Sequence, residues 1–207
     1  MSSFCVVGID TSIGKTQAVG QIARTALKLG VEVITCKLVQ TGCVGISEDI
    51  ETHRKIMGIP MKEIDLDGTT CPYVFPFPAS PHLAAEMACS QVEVQVLDRC
   101  LSDLQSRYDL VVIEGSGGLM VPLTRDLLLI DFLADRGIPV VLVTSPRLGS
   151  LNHTLLSLEA LAHRNIPVQA LVYNLFDRAT PEIQEDTKEL LTSRFPQLRF
   201  WEMTASQ

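Results

Sequence analysis

The segment Gly8-Ile9-Asp10-Thr11-Ser12-Ile13-Gly14-Lys15-Thr16 constrains this chain more than any other. It follows the apolar run Phe4-Cys5-Val6-Val7 and leads into a stretch of helical period over residues 16–29, closed by Gly30. A glycine-bearing loop between a buried strand and a helix turns backbone N–H groups inward above a helix N-terminus, where they hold an anion. A lysine after the last glycine then reaches nucleotide phosphates, and the hydroxyl that follows serves Mg2+. The common spacing G-x-x-x-x-G-K-[ST] has four residues between its glycines, and this loop has five. The strand–loop–helix setting is what separates it from a chance Gly-Lys-Thr turn.

The rest of the chain repeats the alternation. Residues 31–36, 110–113, 139–143 and 168–173 read as strands, and residues 128–136, 150–164 and 181–194 carry apolar positions at helical period. Strands without polar alternation, separated by helices, predict a parallel sheet covered on both faces. With right-handed crossovers this is an α/β fold, a doubly wound and mainly parallel sheet of phosphate-loop NTPase type, in one domain over residues 1–207. Ligands of such folds sit beyond the carboxyl ends of the strands. Residues 42–79 are less regular, and the prolines of Cys71-Pro72-Tyr73-Val74-Phe75-Pro76-Phe77-Pro78 predict an extended surface crossing.

The residues that follow the strands carry the remaining chemistry. Glu114 ends one apolar run and precedes Gly115-Ser116-Gly117-Gly118, which suits a carboxylate placed near a metal; a turn cap at the surface is the plainer reading. Lys37 follows the second strand, either aimed at the phosphate loop or solvated. Leu148-Gly149-Ser150-Leu151-Asn152-His153 opens a helix whose free N–H groups could hold a carboxylate, unless Ser150 simply caps it. His82 and His153 lack metal-ligand spacing and read as structural, or else as substrate-proximal.

Composition narrows the partners. Of 207 residues 46% are hydrophobic and 20% charged, which is globular, while a formal charge of -7 disfavours nucleic acid and anionic membrane as partners. Any phosphate must therefore be gripped locally. No run approaches the ~18 apolar residues of a membrane span, and no basic N-terminal region suggests a signal peptide, so a soluble, cytoplasmic protein is expected. Six cysteines without C-x-x-C spacing predict buried free thiols.

In combination these segments resemble the dethiobiotin synthetase family over residues 4–174. The matching runs are G-x-D-T-x-x-G-K-T at the loop, Lys37-Leu38-Val39-Gln40-Thr41-Gly42, Ser80-Pro81-His82, Ile113-Glu114-Gly115-Ser116-Gly117-Gly118, and the Leu148 to His153 helix start. The resemblance implies a homodimer that closes the ureido ring of dethiobiotin from 7,8-diaminononanoate, CO2 and ATP. Lys15 and Lys37 take the catalytic roles. Asp10, Thr11, Ser12, Ile13, Gly14, Lys15, Thr16, Thr41, Glu114, Gly115, Gly117 and Gly118 form the nucleotide and substrate site. Asn174 matches the asparagine that contacts the base. Thr16, Glu114 and an acid after the second strand hold Mg2+; Asp49 fits best, with Glu48 and Glu51 beside it. Thr11 and Thr41 contact the diamine, and Gly149, Ser150, Leu151 and Asn152 of the partner subunit receive its carboxylate tail.

The chain departs from that family in three places. Thr41 stands where serine is common, residues 180–190 hold no tyrosine, and only six residues follow Trp201, where fuller-length members continue over the adenine. Loose discrimination between ATP and GTP is the resulting expectation. Lys37→Ala is expected to abolish turnover while sparing the fold. A partition-type ATPase switch is the rival class, but its pattern K-G-G-x-G-K-[ST] places a lysine where this chain has Asp10.

Overall fold

In the computed structural model, which describes residues 2–176 and 179–204, strand β1 (Ser2–Gly8) runs through the middle of a six-stranded sheet. It is followed by α1 (Lys15–Lys28), β2 (Val33–Lys37), β3 (Gln40–Thr41), α2 (Glu48–Met57), α3 (Glu63–Leu66) and β4 (Val74–Phe75). Then come α4 (Pro81–Met87), α5 (Val94–Arg107), β5 (Leu110–Gly118), α6 (Leu129–Asp135) and β6 (Val140–Thr144). The chain continues through α7 (Ser150–His163), β7 (Val168–Asn174), α8 (Pro181–Arg194) and β8 (Arg199–Met203). The sheet order is β2-β5-β1-β6-β7-β8, and every pairing in it is parallel. The chain goes to one side of β1 for β2 and β5, and to the other for β6, β7 and β8. A crevice therefore opens over the carboxyl end of β1, where such sheets bind ligands.

The missing polar alternation in the strands has its cause in two cores. Cys5, Val7, Ile34, Val111, Ile113 and Leu142 enter one, while Phe4, Val6, Val33, Val112, Val141 and Val143 enter the other. Successive side chains point to opposite faces, so a sheet with helices on both sides needs apolar residues at every position. Ala18, Val19, Ala23 and Ala26 of α1 fill the second core, and Leu97, Leu101 and Leu104 of α5 fill the first. Four of the six cysteines are buried free thiols; Cys89 is exposed and Cys100 half-buried.

The stretch expected to be merely less regular is the main correction. Its proline-rich part runs extended as expected, with Val74–Phe75 pairing β3. Residues 48–57 are helical: Ser47 caps α2 by accepting from Ile50 N–H, three acids occupy the first turn, and Gly58 ends it in the left-handed region. Its buried positions are Ile50, His53, Arg54 and Met57, a proper helical stripe. Two of those four are polar, so the period does not show as hydrophobicity. Arg54 is neutralised inside the fold by Asp65 at 2.7 and 2.9 Å and bonds Thr35 Oγ1 at 2.6 Å. Helices α4 and α5 also lie outside the expected elements, and β5 runs on through Gly118 rather than ending at Glu114. Helix α2 packs on α1 at Gly20, where an added Cβ would stand 2.7 Å from Ile56 Cδ1. That close approach brings the first turn of α2 toward the phosphate loop.

Candidate active site

The loop between β1 and α1 ends at Gly14, which sits at φ 97° and leaves the α1 N-terminus without a side-chain cap. No acid lies in the first helical turn, so its N–H groups stay available to an anion. Two contacts fix the loop from within. Lys15 Nζ donates to the Asp10 carbonyl at 2.9 Å. Asn174, at the end of β7, donates from Nδ2 to the Ile13 carbonyl at 2.9 Å. The Ile13 side chain itself is buried in the core beneath α1. Burial, and then the charge of Lys37, bring the Lys15 ammonium down to about 8.

Three elements converge beside this loop. Thr16 Oγ1 lies 3.1 Å from both Asp49 Oδ1 on α2 and Glu114 Oε1 on β5. Lys37, the last residue of β2, places Nζ 2.6 Å from Glu114 Oε1 and 2.7 Å from Asp49 Oδ2. Lys37 is 6% exposed and Glu114 1%, which excludes the solvated-lysine and surface-cap readings. Burial alone would protonate Glu114, but Lys37 and His53 hold its carboxyl well below the usual range. Burial pushes the Lys37 ammonium down, yet Glu114 and Asp49 outweigh it and keep that charge above the ordinary lysine value.

These groups line a cavity of about 390 Å3 together with Thr11, Ser12, Gly14, Gln40, Thr41, Ser116 and Gly117. A second recess of about 470 Å3 shares Thr11, Thr41, Ser116 and Gly117 and continues to Pro78, Ala79, Ser80 and Pro81. A larger surface groove of about 850 Å3 between α1 and α2 carries none of the expected site residues. Two carboxylates and a hydroxyl form an oxygen set of the kind Mg2+ takes, completed by water and substrate phosphates rather than by the protein alone. No group of three or more His, Cys, Asp or Glu placed to hold a metal occurs among the described residues.

Several expected residues lie elsewhere. Asp10 faces outward and pairs with Arg147 at 2.8 Å. Gly115 stays out of the cavity, since a Cβ there would meet Leu129 Cδ2 at 2.9 Å, so it serves packing. Gly118 pairs with Gly8 on β1 rather than lining the phosphate cavity. Gly149, Ser150, Leu151 and Asn152 are also outside it. Gly149, at φ 92°, is itself the N-cap of α7, and no side chain caps that helix. Ser150 is buried against Ser145 Oγ at 3.1 Å, which overturns the Ser150 cap. His153 lines an apolar recess with Ile9, Met120 and Leu156, and His82 bonds Ser80 Oγ through Nδ1. Of the acids near 48–51, Asp49 alone lines the site. Sequence reasoning missed His53, whose Nε2 lies 2.7 Å from Glu114 Oε2; its one signal was its place four residues after Asp49.

Parallel sheet, two-sided cores and a loop closing on Lys15 and Thr16 define a phosphate-loop NTPase fold. A family model described as an AAA domain matches residues 2–199. The chain is similar to the ATP-dependent dethiobiotin synthetase BioD of Chlorobaculum tepidum, 52% identical over 197 residues, covering 95% of this chain and 82% of the relative. It is similar also to BioD 2 of Pasteurella multocida, 47% identical over 188 residues, covering 91% and 88%. The chain belongs to the ATP-dependent dethiobiotin synthetase family. Among solved structures, a ParA family ATPase from Chlorobium tepidum superposes with TM-score 0.59 at 14% identity, covering 100% of this chain and 85% of the other. MinD in the MinC:MinD complex of Aquifex aeolicus superposes at TM-score 0.58 and 11% identity, covering 97% and 79%. These last likenesses are of fold alone.

Proposed function

We infer that this chain is an ATP-dependent ligase that forms dethiobiotin from 7,8-diaminononanoate and CO2. The observation that carries this, beside the family, is the joining of two cavities. One is lined by Lys15, Thr16, Lys37, Asp49 and Glu114, the other by Thr11, Thr41 and the 78–81 turn. A triphosphate suits the first, and a slender diamine suits the second.

One amine of the substrate adds to CO2 and loses a proton, giving a carbamate. A carbamate oxygen attacks the γ-phosphorus of ATP and ADP leaves. The second amine then attacks the carbonyl carbon of the mixed anhydride, phosphate departs, and loss of the amine proton completes the ring. The protein's part is positioning and charge stabilisation. Lys15 at the loop grips the β/γ-phosphate oxygens. Lys37 keeps its charge, lines the cavity and has three N–H donors, of which Glu114 and Asp49 engage two, which leaves the third to serve the reacting oxygens. Thr16, Asp49 and Glu114 would hold Mg2+, which neutralises charge on the phosphate oxygens. Asn174 keeps the loop in shape through Ile13.

We assign a homodimer as the working unit. Leu148, Leu156 and Met120 are large apolar side chains left exposed, near the uncapped start of α7, and a second copy would cover them. The α7 start would then receive the diamine's carboxylate tail.

The test is phosphate release from Mg-ATP with and without diamine and bicarbonate, with the product mass measured. Diamine-dependent release with dethiobiotin formed is the expected result. Release that ignores the diamine would replace this reading with a nucleotide switch, as the ParA-like fold would allow.

A further inference from the structure

Helix α2 brings more than Asp49 to the site. His53, one turn later, is fully buried, with Nε2 at 2.7 Å from Glu114 Oε2. Its other ring nitrogen, Nδ1, is buried with no hydrogen-bond partner. We propose that His53 is a positioning residue, fixed as the Nε2–H tautomer, which commits Glu114 Oε2 so that Oε1 alone serves Thr16 and Lys37.

The tautomer follows by elimination. A proton on Nδ1 alone would leave a buried N–H unpaired and set the Nε2 lone pair against a carboxylate oxygen. A proton on Nε2 alone satisfies Oε2 and leaves only a weak acceptor unpaired. The consequence is geometric. With Oε2 pinned, the carboxylate does not rotate, and Oε1 stays 3.1 Å from Thr16 Oγ1 and 2.6 Å from Lys37 Nζ. The same bond ties α2 to β5 across 61 residues of sequence. It therefore also sets where Asp49, one turn earlier on α2, meets Lys37. Without the donor, Oε2 turns toward Lys37, the nearest remaining partner, and both carboxylates lose their register.

The functional arm of this inference rests on the synthetase reading, so two of its three tests avoid the diamine. Long-range 1H–15N correlation spectra of the nucleotide-free protein should show one imidazole, absent in His53→Gln, protonated at Nε2 and bare at Nδ1. A ring bare at Nε2, the opposite tautomer, would overturn the proposal. Mn2+ binding in the presence of a non-hydrolysable ATP analogue, followed by electron paramagnetic resonance, should weaken about 10–100-fold in His53→Leu. His53→Gln, whose amide can donate from the Nε2 position, should restore it to within a few-fold. If the leucine variant does not fold, His53→Asn replaces it; its shorter amide falls short of Glu114 and should show the same loss. In dethiobiotin synthesis His53→Leu should lower kcat with the diamine KM unchanged. A leucine variant with wild-type Mn2+ affinity, or a glutamine variant no better than leucine, would refute the role of His53. Failure to form dethiobiotin with the Mn2+ result intact would refute the synthetase reading and leave His53 standing.

Discussion

Lys37→Met removes the ammonium while nearly conserving side-chain length, and the structure says what that does. Glu114 is 1% exposed at its side chain and Lys37 8%. The variant thus leaves a carboxylate in a dry site with a His53 hydrogen bond but without the Lys37 cation. Asp49, at 24%, can turn to water. Breaking a buried ion pair by deleting one partner costs about 3–5 kcal/mol. For a chain of this size each kcal/mol lowers Tm by about 2–4 °C, so the drop should be roughly 6–20 °C. This expected loss stands against the expectation that removing Lys37 spares the fold, because the lysine is the counter-ion of a buried acid. Lys37→Met/Glu114→Gln removes both charges and should recover most of the loss. The pH dependence has a definite sign. In the wild type the depressed Glu114 contributes stability that is present above its unfolded value of 4.5 and fades as pH falls through its folded value. In Lys37→Met the acid takes up a proton more readily, so the Tm penalty is largest near neutrality and narrows in acid. Circular dichroism melts without nucleotide or Mg2+, at neutral and mildly acidic pH, measure all three proteins. A Tm drop smaller than about 4 °C, the equivalent of about 1 kcal/mol, or a double variant no better than the single one, would refute the reasoning.

Gly14→Ala should abolish binding of a non-hydrolysable ATP analogue in calorimetry, since φ 97° disfavours a Cβ and the new methyl would run into the Asn174 amide. Gly30→Ala carries similar strain in open space at φ 80° and should keep full binding. Asp65→Asn leaves fully buried Arg54 without its counter-ion and should cost about 3–5 kcal/mol in urea unfolding at neutral pH. Burial raises the Asp65 carboxyl, but its bonds from Arg54 and the Lys62 N–H more than reverse that. Wild-type stability should thus decline as pH falls below the unfolded value of 3.8, and the asparagine variant should show a flatter acid limb. Leu156→Glu, in the exposed apolar patch beside His153, should convert a dimer to monomers in sedimentation and lower turnover with it; an unchanged dimer would place the interface elsewhere.

Much was legible because it is local. Gly8 to Thr16 states its own conformation through glycine spacing and a lysine–threonine pair that has one use after a buried strand. The strands at Val6, Val112 and Val141 declare a two-sided sheet because every position had to be apolar. Asp49 was harder to choose, since Glu48 and Glu51 share its charge and first turn; which acid faces Thr16 is visible only once α2 is packed in place against α1. Helix α2 itself was hidden, because a stripe holding His53 and Arg54 has helical period without hydrophobic period.

What the sequence determined by itself was the strands β1, β2, β5, β6 and β7, the helices α1, α6, α7 and α8, the phosphate loop, and the residue types available to it, all set by interactions within a few positions of chain. The tertiary structure decided which of them meet. Lys37 finds Glu114 across 77 residues, and Asn174 finds the Ile13 carbonyl across 161. Burial then turned those meetings into chemistry: it removed the water that would screen Lys37 from Glu114 and left His53 Nε2 facing Glu114 alone. Pairing and desolvation of that kind belong to no local stretch of sequence, because the free energy of a charge depends on what surrounds it in space.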